Sequence, residues 1–157
     1  MKILYICTHN RCRSILSEAI TNHLSNGRIQ AKSAGSHPAG EVHPLSIQYL
    51  REAGIATEDL TSQSWNELET FAPDVVVTVC DSAAGETCPL WFGQSVKVHW
   101  GLADPSKVEG SDTTKAQAFR KTIDEIQQRV IQLLALESEQ LTQDELRSAL
   151  NQLGTES

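Results

Sequence analysis

One domain is all that 157 residues require, and a chain of this length can bury a core without disulfide or metal staples. With 13 basic against 20 acidic residues the formal charge is −7, which argues against nucleic acid or an anionic membrane as partner. No run approaches the roughly eighteen apolar residues of a membrane span and no secretory leader is read, so the expected location is the cytoplasm; there the chain's 4 cysteines are more often reactive or metal-binding than disulfide-bonded.

In chain order, Lys2 to Cys7 is an apolar run of strand length. Ser14 to Leu24 then sets Ile15, Leu16, Ala19, Ile20 and Leu24 on one helical face, with Gly27 as a stop. Ile29 to Ser33 reads as a second strand ending at Ala34-Gly35. Pro44 to Ala53 reads as a second helix, Pro44 suiting its first turn and Gly54 lying just past its end. Asp74 to Cys80 is valine-rich and predicts a buried strand, and Ser95 to Trp100 alternates like another. From Thr113 onward Ala116, Phe119, Ile123, Ile126, Val130 and Leu133 recur at steps of three or four, the pattern of a long amphipathic helix. Strands separated by helices predict an α/β fold built on a small open parallel sheet of about four strands. Residues 1–136 form the expected domain and 137–157 a C-terminal extension. In the extension Thr142 and Glu145 make a T-x-x-E capping box ahead of Leu146, Ala149, Leu150 and Leu153, which predicts a short helix stopped by Gly154.

The stretch CTHNRCRS, residues 7–14, falls between the first strand and the first helix. In open α/β sheets ligands bind at that end of the strands, and the free N–H groups and positive dipole of a helix N-terminus suit an anion. Thr8, His9, Asn10, Arg11, Cys12 and Ser14 would form an oxyanion-binding loop around Cys7. A cysteine there has its pKa lowered from about 8.5 by the helix terminus and nearby cations, so Cys7 is expected to be ionised at rest. Arg13 offers a planar fork matched to a tetrahedral oxyanion. Ser14 can donate a hydrogen bond to the thiolate, and Asn10 suits a left-handed loop conformation. Cys12 reads as packing.

Cys7-x-x-Asn10-x-Cys12-Arg13-Ser14 resembles the phosphate-binding loop of the low-molecular-weight protein tyrosine phosphatases and of the arsenate reductases that share their fold. The resemblance runs from Met1 to about Leu136 and extends to Ser33-Ala34-Gly35 and to Asp104-Pro105, the place of that family's general acid. Cys7, Arg13 and Asp104 serve both activities. Cys80 and Cys88 enclose a polar segment that resembles the redox loop of thioredoxin-coupled arsenate reductases, and His99-Trp100-Gly101 is similar to theirs. Ser106 stands where the phosphatases usually carry a tyrosine that frames an aryl substrate. Taken alone, Cys80 also fits a core cysteine, and a zinc site from Cys80, Cys88 and His99 lacks the tight spacing of structural zinc sites.

The resemblance implies reduction of arsenate, a phosphate-like oxyanion, by Cys7, with Cys80 and Cys88 relaying the oxidation to thioredoxin or glutaredoxin and no metal or organic cofactor required. The alternative is a phosphatase acting on phosphotyrosine or a small phosphomonoester through a cysteinyl-phosphate. Asn10, Glu18 and Ser33 match positions that hold a potassium ion in some reductases, whereas the acidic position expected after Thr61-Ser62 is Gln63 here.

Overall fold

The computed structural model describes residues 1–80, 95–137, 139 and 141–155. Its elements are β1 (Lys2–Ile6), α1 (Arg13–Ser25), β2 (Gln30–Ala34), α2 (Pro44–Glu52), β3 (Val75–Thr78), β4 (Val96–His99), α3 (Asp112–Glu137) and α4 (Gln143–Thr155). The four strands form one parallel sheet in the order β2-β1-β3-β4.

That order determines where a site can be. The chain leaves β1 for β2 on one side and returns to β3 on the other, so the crevice at the carboxyl end of β1 and β3 is the topological switch point. Ile6 pairs with both Ala34 and Thr78, and Thr78 with His99, so all four strands stop at one level. Cys7 follows Ile6 and Cys80 lies two residues past Thr78, which brings two cysteines 73 positions apart to neighbouring strand ends.

β1 is buried on both faces: Ile3, Leu4, Tyr5 and Ile6 are at most 1% exposed, as a central parallel strand requires. The Tyr5 hydroxyl keeps a partner inside the core, Thr21 Oγ1 at 2.8 Å. α1 ends where Asn26 takes a left-handed conformation, φ 51°. The apolar stripe of α3 is buried as expected, and the helix packs on α1 and α2, where Phe119 stacks on Tyr49. No helix among the described residues is long and apolar enough to cross a membrane.

α4 docks on β4 and α3. Its capping box is formed in both directions, Thr142 N to Glu145 Oε1 at 3.1 Å and Glu145 N to Thr142 Oγ1 at 3.2 Å. Trp100 Nε1 donates to Leu150 O at 2.8 Å, and Leu150 and Leu153 join the core; burying each leucine is worth about 2 kcal/mol. The helix passes through the expected stop at Gly154 to Thr155. A second difference is a 3₁₀ segment at Trp65–Phe71, started by Ser64 and Glu67 acting as a capping box and held by buried Leu68 and Phe71. The signal S-x-x-E was present in the sequence, but no apolar periodicity follows it to mark a helix.

Candidate active site

The loop from Cys7 to Cys12 is held by its carbonyls. Thr8 O accepts from His37 N, His9 O from Ala39 N and Arg11 O from His43 N, each at 2.9 Å, and Ser62 Oγ adds a bond to His9 O at 3.2 Å. A trans peptide's C=O and its following N–H point opposite ways. The clamp therefore turns the His9 and Cys12 amides away from residues 37–43. The segment behind this clamp, residues 37–43, connects β2 to α2.

Asn10 fixes the bend. It is fully buried with φ 46°, as the expected left-handed conformation requires. Its Nδ2 donates to Ser14 Oγ at 2.8 Å and Ser33 Oγ at 3.0 Å, while its Oδ1 accepts from Gln63 N at 2.8 Å. Ser14 Oγ thus supports Asn10 as an acceptor. Gln63 also donates through Nε2 to Ser33 O at 2.9 Å and accepts from Gly35 N at 2.9 Å, a role its sequence position did not signal. Gly35 explains the Ser-Ala-Gly that ends β2: a Cβ there would collide with the carbonyl oxygens of Cys7 and Thr8.

Cys7, Cys80, Arg13, Asp104 and Lys107 line one cavity of about 170 Å³, together with the loop. Arg13 spans it. Nη1 donates to Leu102 O at 3.0 Å, Nη2 lies 3.5 Å from Asp104 Oδ2, and Nε is buried without a hydrogen-bond partner. Asp104 is steadied by Ser106, whose N and Oγ reach Oδ1 at 3.0 and 2.6 Å. The cavity brings together Cys7, Thr8, His9, Arg11, Cys12, Arg13, Cys80 and Asp104. Cys88 lies outside the described residues.

The Cys7 and Cys80 thiols are hydrogen-bonded to each other, and both are buried, at 7% and 2% exposure. This contact works against the resting Cys7 thiolate that its sequence neighbours suggest. The Cys80 hydrogen bond, then burial, then the charge on Cys80 push the Cys7 pKa well up, and Arg13 only partly opposes them. Two sulfurs in contact titrate as a pair, and the second proton is held hard. Cys12 is pushed up to about 11, chiefly by burial, which suits packing better than attack.

Behind the loop, Ser33 Oγ donates to Glu18 Oε1 at 2.5 Å, and burial raises the Glu18 carboxyl to about 7. Asn10, Ser33 and Glu18, the positions resembling a potassium site, are thus bonded to one another. No group of three His, Cys, Asp or Glu side chains among the described residues could hold a metal ion. His43 caps α2 by accepting from Leu45 N at 3.1 Å, with its pKa lowered by burial and by Arg11. His9 lines the cavity, its Nδ1 3.1 Å from His37 O.

Residues 2–147 match the family described as low molecular weight phosphotyrosine protein phosphatase. The arsenate reductase of Halalkalibacterium halodurans is 35% identical over 82% of this chain and 91% of its own. A glutaredoxin arsenate reductase of Synechocystis is 30% identical over 85% of this chain and 96% of its own. Among solved structures, a thioredoxin-dependent arsenate reductase of Corynebacterium glutamicum superposes with a TM-score of 0.67 at 28% identity, covering 87% of this chain and 61% of that one.

Proposed function

From the premise that this chain belongs to the low-molecular-weight phosphotyrosine protein phosphatase family, we propose that it is an arsenate reductase, an oxidoreductase built on the phosphatase fold. The observation that carries this reading is the contact between Cys7 and Cys80. A hydrolytic phosphatase needs one thiol; a reductase must supply two electrons, and two thiols already in hydrogen-bond contact can supply them by forming a disulfide.

Cys7 is the nucleophile. Arsenate binds against the loop amides and the Arg13 guanidinium, whose planar fork matches a tetrahedral oxyanion. Attack of the Cys7 sulfur on arsenic forms an S–As bond and expels an oxygen, which Asp104 protonates and which leaves as water. The Cys80 thiolate then attacks the Cys7 sulfur. An S–S bond forms, the S–As electron pair stays on arsenic, and arsenic(V) leaves as arsenic(III) in arsenite. Cys88 attacks Cys80 in turn, restoring the Cys7 thiolate and leaving a Cys80–Cys88 disulfide. A dithiol donor, thioredoxin or glutaredoxin, reduces that bond by exchange in the cytoplasm.

The coupled pair gives the substrate a part in activation. An oxyanion accepting from Arg13 and the loop separates the roles of the two hydrogen-bonded thiols, Cys7 attacking and Cys80 waiting beside the sulfur it will attack.

The test is arsenate-dependent NADPH oxidation with thioredoxin and its reductase, repeated with glutathione and glutaredoxin, with arsenite measured as product. Stoichiometric arsenite with NADPH consumption supports the reading. Inorganic phosphate released from phosphotyrosine, without arsenite from arsenate, would replace it with the phosphatase alternative.

A further inference from the structure

Asp104 is the acid of the proposed reaction, and of the two oxygens of its carboxyl group one must face the oxygen that departs. The structure shows what tells them apart. Oδ1 accepts twice from Ser106, from N at 3.0 Å and from Oγ at 2.6 Å, whereas Oδ2 lies 3.5 Å from Arg13 Nη2.

The two bonds to Oδ1 are not equivalent. The one from Ser106 N starts the short turn Pro105–Lys107, and any residue but proline at position 106 would supply it. The hydroxyl bond depends on the side chain. Its 2.6 Å is the length of an O–H···O⁻ bond, the stronger, charge-assisted kind. Ser106 lines the same cavity as Cys7, Arg13 and Asp104, so its hydroxyl acts where the chemistry takes place.

Two donors fill the two lone pairs of Oδ1, so a proton carried by this carboxyl is carried on Oδ2. That is the oxygen on the side of Arg13, whose guanidinium holds the oxyanion. When the proton passes to the oxygen leaving arsenic, the O–H bond on Oδ2 breaks and its electron pair stays with the carboxyl group. The charge spreads to Oδ1, where the Ser106 hydroxyl is already aimed at it. Alanine at 106 would leave the backbone bond alone, and the carboxyl would be free to turn about its broad terminal torsion. On the arsenate reductase reading, on which this inference rests, we propose that Ser106 is a positioning residue of the reaction, its hydroxyl holding Asp104 so that Oδ2 delivers the proton to the departing oxygen.

The experiment is a single turnover of arsenate by excess full-length enzyme, with arsenite release followed over a range of concentrations for the wild type, Ser106→Ala, Ser106→Thr, Asp104→Asn and the double variant. Ser106→Ala should lower the maximal rate about tenfold and move the half-saturating concentration by less than about twofold, because the oxyanion is held by other groups. Ser106→Thr keeps the hydroxyl and should recover to within about threefold of the wild type. In the Asp104→Asn background, with no proton to aim, Ser106→Ala should change the rate by less than about twofold. A maximal rate for Ser106→Ala within about twofold of the wild type, a loss carried by half-saturation instead, threonine no better than alanine, or the full loss persisting beside Asp104→Asn would overturn the proposal. Arsenite release by the wild type upholds the reductase reading whatever the Ser106 variants do. Were the wild type to release phosphate from phosphotyrosine and no arsenite, that reading would fail alone, and the same comparison run on phosphate release would still decide the role of Ser106, since Asp104 is the acid in both reactions.

Discussion

Asn10→Ala is the perturbation that best tests how the loop is built. The change removes two donated bonds, at 2.8 Å to Ser14 and 3.0 Å to Ser33, and one accepted from Gln63 N at 2.8 Å. Ser14 and Ser33 are fully buried and cannot turn to water instead. At about 1 kcal/mol net for each bond, these amount to roughly 3 kcal/mol. Alanine at φ 46° adds about 1 kcal/mol of backbone strain, which glycine does not pay. The expected destabilisation is therefore about 4 kcal/mol for Asn10→Ala and about 3 for Asn10→Gly. Both leave a domain of ordinary stability folded. Urea unfolding measures the first number and the difference between the variants. Steady-state arsenate reduction on the same samples should show kcat/KM down about a hundredfold, since the reacting sulfur and the loop donors shift together. A loss below about 1 kcal/mol, or equal stability of the alanine and glycine variants, would refute the reasoning.

Gly35→Ala should cost about 1 to 3 kcal/mol and lower kcat/KM at least tenfold, because the added methyl meets backbone carbonyls of Cys7 and Thr8 that cannot move without the loop; wild-type melting and kinetics would contradict the close approach. Arg13→Lys keeps the charge but loses the fork that reaches Leu102 O and Asp104, so kcat/KM should fall by about two orders of magnitude, and a change under threefold would count against the oxyanion role. Glu18 titrates at about 7 in the fold against 4.5 ordinarily, so the fold favours its protonated form. Its contribution is complete below pH 4.5 and is lost as pH rises through 7. Relative to Glu18→Gln, the wild type should lose stability of order 3 kcal/mol between those limits, and a difference independent of pH in urea titrations would show that Glu18 is not buried against Ser33.

The elements were legible because their signals are local. The apolar run of β1, the valines of β3, the three-and-four spacing on α3 and the Thr142–Glu145 box each state their own structure. The left-handed Asn10 was legible for the same reason. What the sequence hid depends on contacts between distant segments. The donors that clamp the loop are backbone amides of His37, Ala39 and His43, and a backbone amide leaves no mark in composition. Gln63 looked like a missing acid and is a bridge between Asn10 and β2. Cys7 was assigned a low pKa from its neighbours in sequence, while the group that dominates it, Cys80, arrives from β3 through the sheet order. The apolar face of α4 could be read, but not that its partner is Trp100 at the end of β4.

The central claim, that Cys7 hands its oxidation directly to Cys80, is tested most directly by mass spectrometry of single-cysteine variants after one equivalent of arsenate, with thiols blocked before digestion. Cys88→Ser should release one equivalent of arsenite and stall with a Cys7–Cys80 disulfide, and Cys80→Ser should form no such bond and release no arsenite. Repeated turnover by Cys88→Ser with thioredoxin alone, or arsenite release by Cys80→Ser at the wild-type rate, would contradict the account.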